Sequence, residues 1–192
     1  MISESPQKII LEGPRIILRP PVPSDTAIMN AHVQVREISR YTFISRLSTL
    51  ESTREFIRNT RKWWRSGRQQ HFGIIWKESK DLIGMIGLSG IDHKNCNAEL
   101  GYWLAKEYWG RGITPEAIRL ILDYSFRTLK LVRVYAHVMH PNEASIRVLE
   151  KIGFKREGYL RKAVFQHNRW LNEILFAILK EEYQAKRFIK RF

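Results

Sequence analysis

Between residues 98 and 138 the chain reads strand, glycine turn, helix, strand, and this order limits the fold more than any other part of the sequence. Ala98, Leu100, Tyr102 and Leu104 alternate with Glu99, Gly101 and Trp103, the period-two pattern of a half-buried strand. Gly110-Arg111-Gly112 interrupts it. A helix then runs from Thr114, with Pro115 at its first position, to about Leu129, and Ala117, Ile118, Ile121, Leu122 and Phe126 form its apolar side. Residues 131–138 read as a buried strand. Two strands joined through one helix pair in parallel by a right-handed crossover, and ligands of such sheets collect in the crevice at the strands' carboxyl ends.

Around this unit the same reading yields a mixed α/β (α+β) arrangement. A strand at 15–19, closed by Pro20-Pro21, precedes a helix that Ser24 or Asp25 caps and that ends near Val33. A second helix from Ser48 or Thr49 to Ser66 places Phe56, Ile57, Thr60 and Trp63 or Trp64 on one face and stops at Gly67. Because adjacent helix positions point ~100° apart, one of the two tryptophans should be buried and the other partly exposed. Strands at 72–76, 82–88 and 98–104, separated by polar turns, make an antiparallel meander. Asn142 caps a helix with Ser145, Ile146, Leu149 and Ile152 on one side and Gly153 at its end. Strands at 155–165 and 170–179 precede a basic tail.

Thirty-three Lys and Arg against 19 Asp and Glu give a net charge of +14, which draws the chain to something acidic: nucleic acid, a ribosome, a phosphorylated cofactor or an acidic protein. Arg54, Arg58, Arg61, Arg65 and Arg68 recur at spacings of four and three opposite the apolar face of their helix, a positive stripe about 20 Å long. The longest charge-free stretches, 26–35 and 82–91, fall short of the ~20 apolar residues of a membrane span. Residues 1–6 show neither a basic n-region nor an apolar h-region, so no secretory signal is expected. The single cysteine, Cys96, can form no intrachain disulfide. Together these favour the cytoplasm. Of the six histidines (32, 71, 93, 137, 140 and 167) only His137 and His140 are near one another, and they straddle a strand end, so no metal is expected.

The turn at 107–114 ends a strand and opens a helix, so its amides can converge on one point with the positive helix end behind them, as in pyrophosphate binding. It lacks the third glycine of a dinucleotide fingerprint and the Gly-Lys-Ser/Thr of a P-loop. The ordered set Ala98-Glu99-Leu100-Gly101-Tyr102-Trp103-Leu104, Tyr108-Trp109-Gly110-Arg111-Gly112-Ile113-Thr114-Pro115-Glu116-Ala117, Asn142-Glu143-Ala144-Ser145 and Leu149-Glu150-Lys151-Ile152-Gly153-Phe154 resembles the GCN5-related N-acetyltransferases (GNAT). Within them it resembles the branch of RimJ/RimL-type ribosomal-protein N-terminal acetyltransferases. The resemblance implies one N-acetyltransferase domain over 1–192, with a core at about 10–182 and a basic tail at 183–192. Its central sheet would be mixed, mostly antiparallel and splayed between the fourth and fifth strands, with helices on both faces and acetyl-coenzyme A in the gap.

The resemblance also assigns residues. Gly110, Arg111, Gly112, Ile113 and Thr114 would meet the phosphates, chiefly through amides, with Arg111 as the electrostatic partner and Glu107 standing where the family's signature begins with Gln or Arg. Asn142 and Ser145 match the family's Asn-x-x-Ser beside the pantetheine arm, and Ser145 could protonate the departing thiolate. Backbone amides near Trp103 and Leu104 would polarise the thioester carbonyl. Arg147 and Lys151, one turn apart, could approach the nucleotide phosphates, or simply form a solvated basic face.

Acetyl transfer by direct attack in a ternary complex requires a neutral amine, a polarised carbonyl and a proton for the thiolate. A terminal α-amine, at pKa ~7.7–8.0, needs far less help than a lysine amine at ~10.4. Glu99 is the first candidate base and His137, on the strand across the gap, the second; a water is the third. Each also has a plainer reading, a solvent-facing strand glutamate and a histidine with no catalytic task. The acceptor is expected to be a protein N-terminus, with possible ribosome association through the basic surface. The alternatives are a small amine such as a polyamine or aminoglycoside, and a non-catalytic basic RNA- or ribosome-binding module. The charge of +14 weighs against a polycation unless acidic residues cluster in the groove. Monomer and homodimer are both compatible with the sequence, and no membrane partner is expected.

Overall fold

Apolar runs punctuated by polar turns assemble into an eight-stranded sheet in a computed structural model that describes residues 9–44, 48–166 and 168–183. The strands are β1 (Leu11–Glu12), β2 (Ile16–Arg19), β3 (Gln70–Trp76), β4 (Leu82–Asp92), β5 (Asn97–Leu104), β6 (Arg133–Met139), β7 (Lys155–Gln166) and β8 (Arg169–Leu179), and they lie in the order β1-β2-β3-β4-β5-β6-β8-β7. All neighbouring pairs are antiparallel except β5 and β6, which are parallel and connected through α4 (Ile113–Arg127). The remaining helices are α1 (Thr26–Val33), α2 (Arg36–Ser39), α3 (Leu50–Ser66) and α5 (Glu143–Ile152). Position 167 and the tail at 184–192 lie outside the described residues.

Alternation along the strands splits the core between two faces. Leu18, Phe72, Ile74, Ala98 and Leu100 pack with Ala117, Ile118 and Ile121 of α4 and Leu149 of α5. Ile75, Leu82, Met85 and Trp103 pack with Met29 and Val33 of α1, Ile38 of α2 and Ile57 of α3. Each fully buried Leu or Ile is worth roughly 1.5–3 kcal/mol, so both helical layers are held firmly to the sheet. In α3 the Thr49 hydroxyl accepts the Ser52 N–H at 3.1 Å, and Gly67 (φ +69°) ends the helix in the left-handed conformation. Trp64 is buried and Trp63 half-buried, as the helical spacing requires.

The parting of β5 from β6 organises everything that follows. Only Asn97↔Arg133, Ala98↔Val134 and Glu99↔Tyr135 pair, after which the two strands diverge. Each is kept straight by its outer neighbour: β5 pairs with β4 from Ser89↔Glu99 to Gly84↔Leu104, and β6 with β8 from Arg133↔Leu179 to Met139↔Glu173. This is the expected opening between the fourth and fifth strands, which are β5 and β6 here because the two-residue β1 carries no sequence pattern of its own.

Two local expectations are corrected. Helix α4 starts at Ile113, with Gly112 (φ +73°) as its N-cap, so Pro115 occupies the third helical position; the proline tolerates any site in the first turn, where its missing N–H costs nothing. Asp25 does not cap α1. Its carboxylate faces back to accept from both terminal nitrogens of Arg19, at 2.7 and 2.8 Å, and from the Val22 N–H at 2.8 Å.

Candidate active site

The divergence leaves a cleft of about 560 Å³ at the carboxyl ends of β5 and β6, walled by Glu99 to Leu104 on one side and Ala136 to Met139 on the other. Ser145 and Val148 of α5 close one flank, Gly110 of the turn and Thr114 in the first turn of α4 stand at another edge, and Tyr41, Phe43, Phe56 and His71 line the distal end. Among the described residues of the lining Glu37, Glu99 and Glu173 are the acidic ones, Glu37 being paired with Lys106, and no lysine or arginine is present. On a chain of net charge +14 this makes the cleft an acidic exception.

The two candidate bases meet. His137 Nδ1 lies 3.0 Å from Glu99 Oε1. Since an ionised carboxylate only accepts, the imidazole donates its Nδ1–H and leaves Nε2 open. Both sit where the parallel pairing ends, the Glu99 side chain 38% and the His137 side chain 28% exposed, so solvent and substrate can reach them. Glu173 of β8 adds a third titratable group, only 7% exposed. Burial raises its pKa; the nearby His137 opposes that rise and Glu99 reinforces it. Sequence reasoning missed Glu173, because a glutamate in an alternating strand carries no local sign of the face it occupies.

A second polar pair spans the cleft floor. Tyr102 Oη and Ser145 Oγ are 2.7 Å apart. Burial pushes the Tyr102 hydroxyl up to about 12, with the bond to Ser145 opposing the shift, so it remains protonated. Asn142 caps α5, its Oδ1 accepting the Ser145 N–H at 3.3 Å, which fixes the serine at the helix start. Tyr102 was legible only as an apolar strand position.

The remaining candidates divide. Trp103 and Leu104 line the cleft, and the Leu104 carbonyl accepts the Trp109 indole N–H at 2.7 Å. Gly110 (φ +73°) lines it as well, but the Ile113 side chain is 1% exposed in the core beneath the turn, so only its backbone is available to a ligand. Gly112 borders a separate cavity of about 220 Å³ behind the turn. Arg111 is exposed with its guanidinium 5.4 Å from the Tyr108 ring centre, and Glu107, Arg147 and Lys151 are exposed; none of these four lines the cleft. The arginine stripe also lies outside it: Arg54 and Arg58 both pair with Glu51, the latter at 2.9 Å, and Arg61, Arg65 and Arg68 are exposed. Among the described residues no group of three or more His, Cys, Asp and Glu could hold a metal ion, and no helix is long and apolar enough to cross a membrane.

Comparison with known proteins addresses the same region. Residues 15–155 match the family model described as an acetyltransferase (GNAT) domain. An uncharacterized N-acetyltransferase, p20 of Bacillus licheniformis, is 32% identical over 169 residues, covering 88% of this chain and 95% of the relative. An acetyltransferase (GNAT family) structure from Bacillus anthracis superposes with a TM-score of 0.81 at 27% identity over 91% of this chain and 100% of that one. A spermidine N-acetyltransferase from Vibrio cholerae, solved in complex with CoA and spermine, superposes with a TM-score of 0.78 at 27% identity over 88% of this chain and 98% of that one.

Proposed function

Because the chain belongs to the GNAT acetyltransferases and is an N-acetyltransferase that uses acetyl-coenzyme A, we propose that it acetylates the N-terminal α-amine of a protein in the cleft between β5 and β6. The observation that carries this reading is the 3.0 Å Glu99–His137 pair, with Glu173 buried beside it, at the point where the strands part. An acceptor amine arrives as an ammonium, and the carboxylates of a cleft with no Lys or Arg among its described lining residues attract it. The pair then takes one proton: Glu99 orients the ring through Nδ1–H and stabilises the imidazolium formed when His137 Nε2 accepts, or the carboxylate itself accepts. An α-amine with pKa ~7.7–8.0 needs only this modest help.

The cleft fits the cosubstrate, because the strands part where a pantetheine arm can lie and the glycine turn stands at one end. Acetyl-coenzyme A supplies the acetyl thioester. The amides of residues 110–114 hold its phosphates, with Arg111, Arg147 and Lys151 contributing charge from the exposed margin. Backbone at Trp103 and Leu104 polarises the carbonyl. The second amine proton, released by the nitrogen as the C–S bond breaks, reaches the sulfur through Ser145 Oγ–H, and Tyr102 Oη, 2.7 Å away and kept protonated by burial, holds that hydroxyl in place. The basic helix face steers acidic surfaces such as the ribosome toward the cleft, and the enzyme works in the cytoplasm.

One observation favours a second acceptor. Glu99 and Glu173, together with Glu37, which is paired with Lys106, give the acidic lining that a polycation would require, and the Vibrio cholerae relative was solved with spermine. Acetyl-coenzyme A presented with N-terminal peptides, the same peptides with blocked α-amines, spermidine and an aminoglycoside, with release of free thiol followed, decides between them. Free-amine peptides should give the highest kcat/KM; a higher value for spermidine replaces the first reading with the second.

A further inference from the structure

Behind the glycine turn, on the side away from the large cleft, Arg15 makes a set of contacts that no part of the acetyl-transfer reading uses. Its Nη1 donates to the Arg111 carbonyl at 2.7 Å and its Nη2 to the Gly112 carbonyl at 3.1 Å. Its Nε donates to Glu116 Oε2 at 2.8 Å. The other oxygen of that carboxylate, Oε1, accepts the backbone N–H of Arg15 at 2.9 Å and of Ile16 at 3.3 Å. Glu116 thus ties the first turn of α4 to the start of β2, and Arg15 ties the same point to two consecutive peptide groups of the turn. Space is reserved for this: a Cβ on Gly13 would lie 2.6 Å from Glu116 Oε1.

We infer that Arg15 and Glu116 are positioning residues that aim the backbone amides of Gly112 and Ile113 at the cosubstrate phosphates. The cis bond among the described residues is His140–Pro141, so the peptides at 111–112 and 112–113 are trans, and in a trans peptide the N–H points opposite to the C=O. Two carbonyls drawn onto one guanidinium therefore turn the next two N–H groups away from it together. The Gly112 carbonyl also accepts the Glu116 N–H at 3.4 Å, the long first bond of α4, whereas for the Arg111 carbonyl it is Arg15 that holds the peptide plane in a turn where Gly110 and Gly112 both sit at φ +73°. The fork of Arg suits this task, because it reaches two carbonyls and a carboxylate at once, which a lysine cannot. Glu116 also balances the Arg15 charge, so the pair acts through geometry more than through attraction for phosphate.

This rests on the reading that the turn takes the phosphates, and the test separates the two. The donors are acetyl-coenzyme A and S-acetyl-pantetheine, which keeps the thioester arm and lacks the pyrophosphate and nucleotide. Arg15→Met should raise KM for acetyl-coenzyme A by about ten- to a hundredfold, the loss expected of charge-assisted hydrogen bonds, with kcat and the constants for S-acetyl-pantetheine changed little. Arg15→Lys should recover part of that KM. Gly112→Val probes the turn itself and should erase most of the preference for acetyl-coenzyme A. If Gly112→Val erases the preference while Arg15→Met keeps it, the positioning role is wrong and the phosphate reading stands. If Gly112→Val keeps the preference, the phosphate reading fails and takes the inference with it. Equal losses on both donors in Arg15→Met, accompanied by a lowered Tm, would make the pair a merely structural tie and overturn the proposal.

Discussion

Replacing His71 with phenylalanine should flatten the acid limb of this protein's stability curve. His71 stands on β3 with its ring packed edge-on against Phe56 and Trp63, at centroid distances of 5.7 and 5.5 Å, and with Nε2 3.1 Å from Gln69 Oε1. Burial among these rings penalises the imidazolium and lowers the pKa from 6.5 to about 4. In the unfolded chain the ring titrates at its ordinary value. Between those two values the unfolded state therefore binds a proton that the native state refuses, and stability rises with pH across the window. The His71 contribution is intact above pH ~6.5 and is lost progressively as pH falls toward ~4, by about 3–3.5 kcal/mol in all at ~1.36 kcal/mol per pH unit and by roughly 2 kcal/mol at pH 5. Urea unfolding of wild type and His71→Phe at several pH values between 8 and 4.5 gives the difference in stability, in which the titration of the carboxylates cancels. That difference should be flat above pH 7 and then move steadily in favour of the variant as the solution is acidified. Parallel curves over the whole range would refute the reasoning and show that the ring is solvated enough to charge in place.

Glu99→Gln and His137→Gln should each lower kcat by roughly 10²–10³ at neutral pH, less at high pH, and the double variant should lose little more than either single one, because the two act as a unit; multiplicative losses in a double-mutant cycle would separate them. Ser145→Ala should slow turnover about tenfold with KM for acetyl-coenzyme A nearly unchanged, and a raised KM instead would make the serine a binding group. In Gly84→Ala the new Cβ would lie 2.5 Å from the Trp103 carbonyl oxygen, forcing β4 off β5 at a cost of about 1–3 kcal/mol, which thermal unfolding should register as a lower Tm; an unchanged Tm would mean that the cleft wall yields freely. Charge reversal at Arg58, Arg61 and Arg65 should reduce turnover on acidic acceptors at low salt and lose its effect at high salt, whereas unaltered rates would leave the stripe as ordinary surface.

Local chemistry was enough to read the frame from the sequence. Alternation at 98–104, two glycines before an apolar helical face, and a capping asparagine three residues before a serine are short-range signals, and they placed the parallel pair, the turn and the crevice where the structure has them. Propensity and periodicity act over a few residues, so what they determine survives folding with slips of a position or two, as at the start of α4. The contacts that define the site act over a different range. Glu99 and His137 were legible as rival bases; that they form one hydrogen-bonded pair follows from the Glu99↔Tyr135 register and the parting of the strands just beyond it. Glu173 enters because β8 pairs with β6, and Tyr102 meets Ser145 because α5 folds back over β5. Arg15 and Glu116, 101 positions apart, come together only when β2 docks beside the start of α4. Each of these meetings depends on which strand lies beside which and in what register, a choice made by burying two sheet faces at once, and no window of sequence short enough to show a pattern contains both partners.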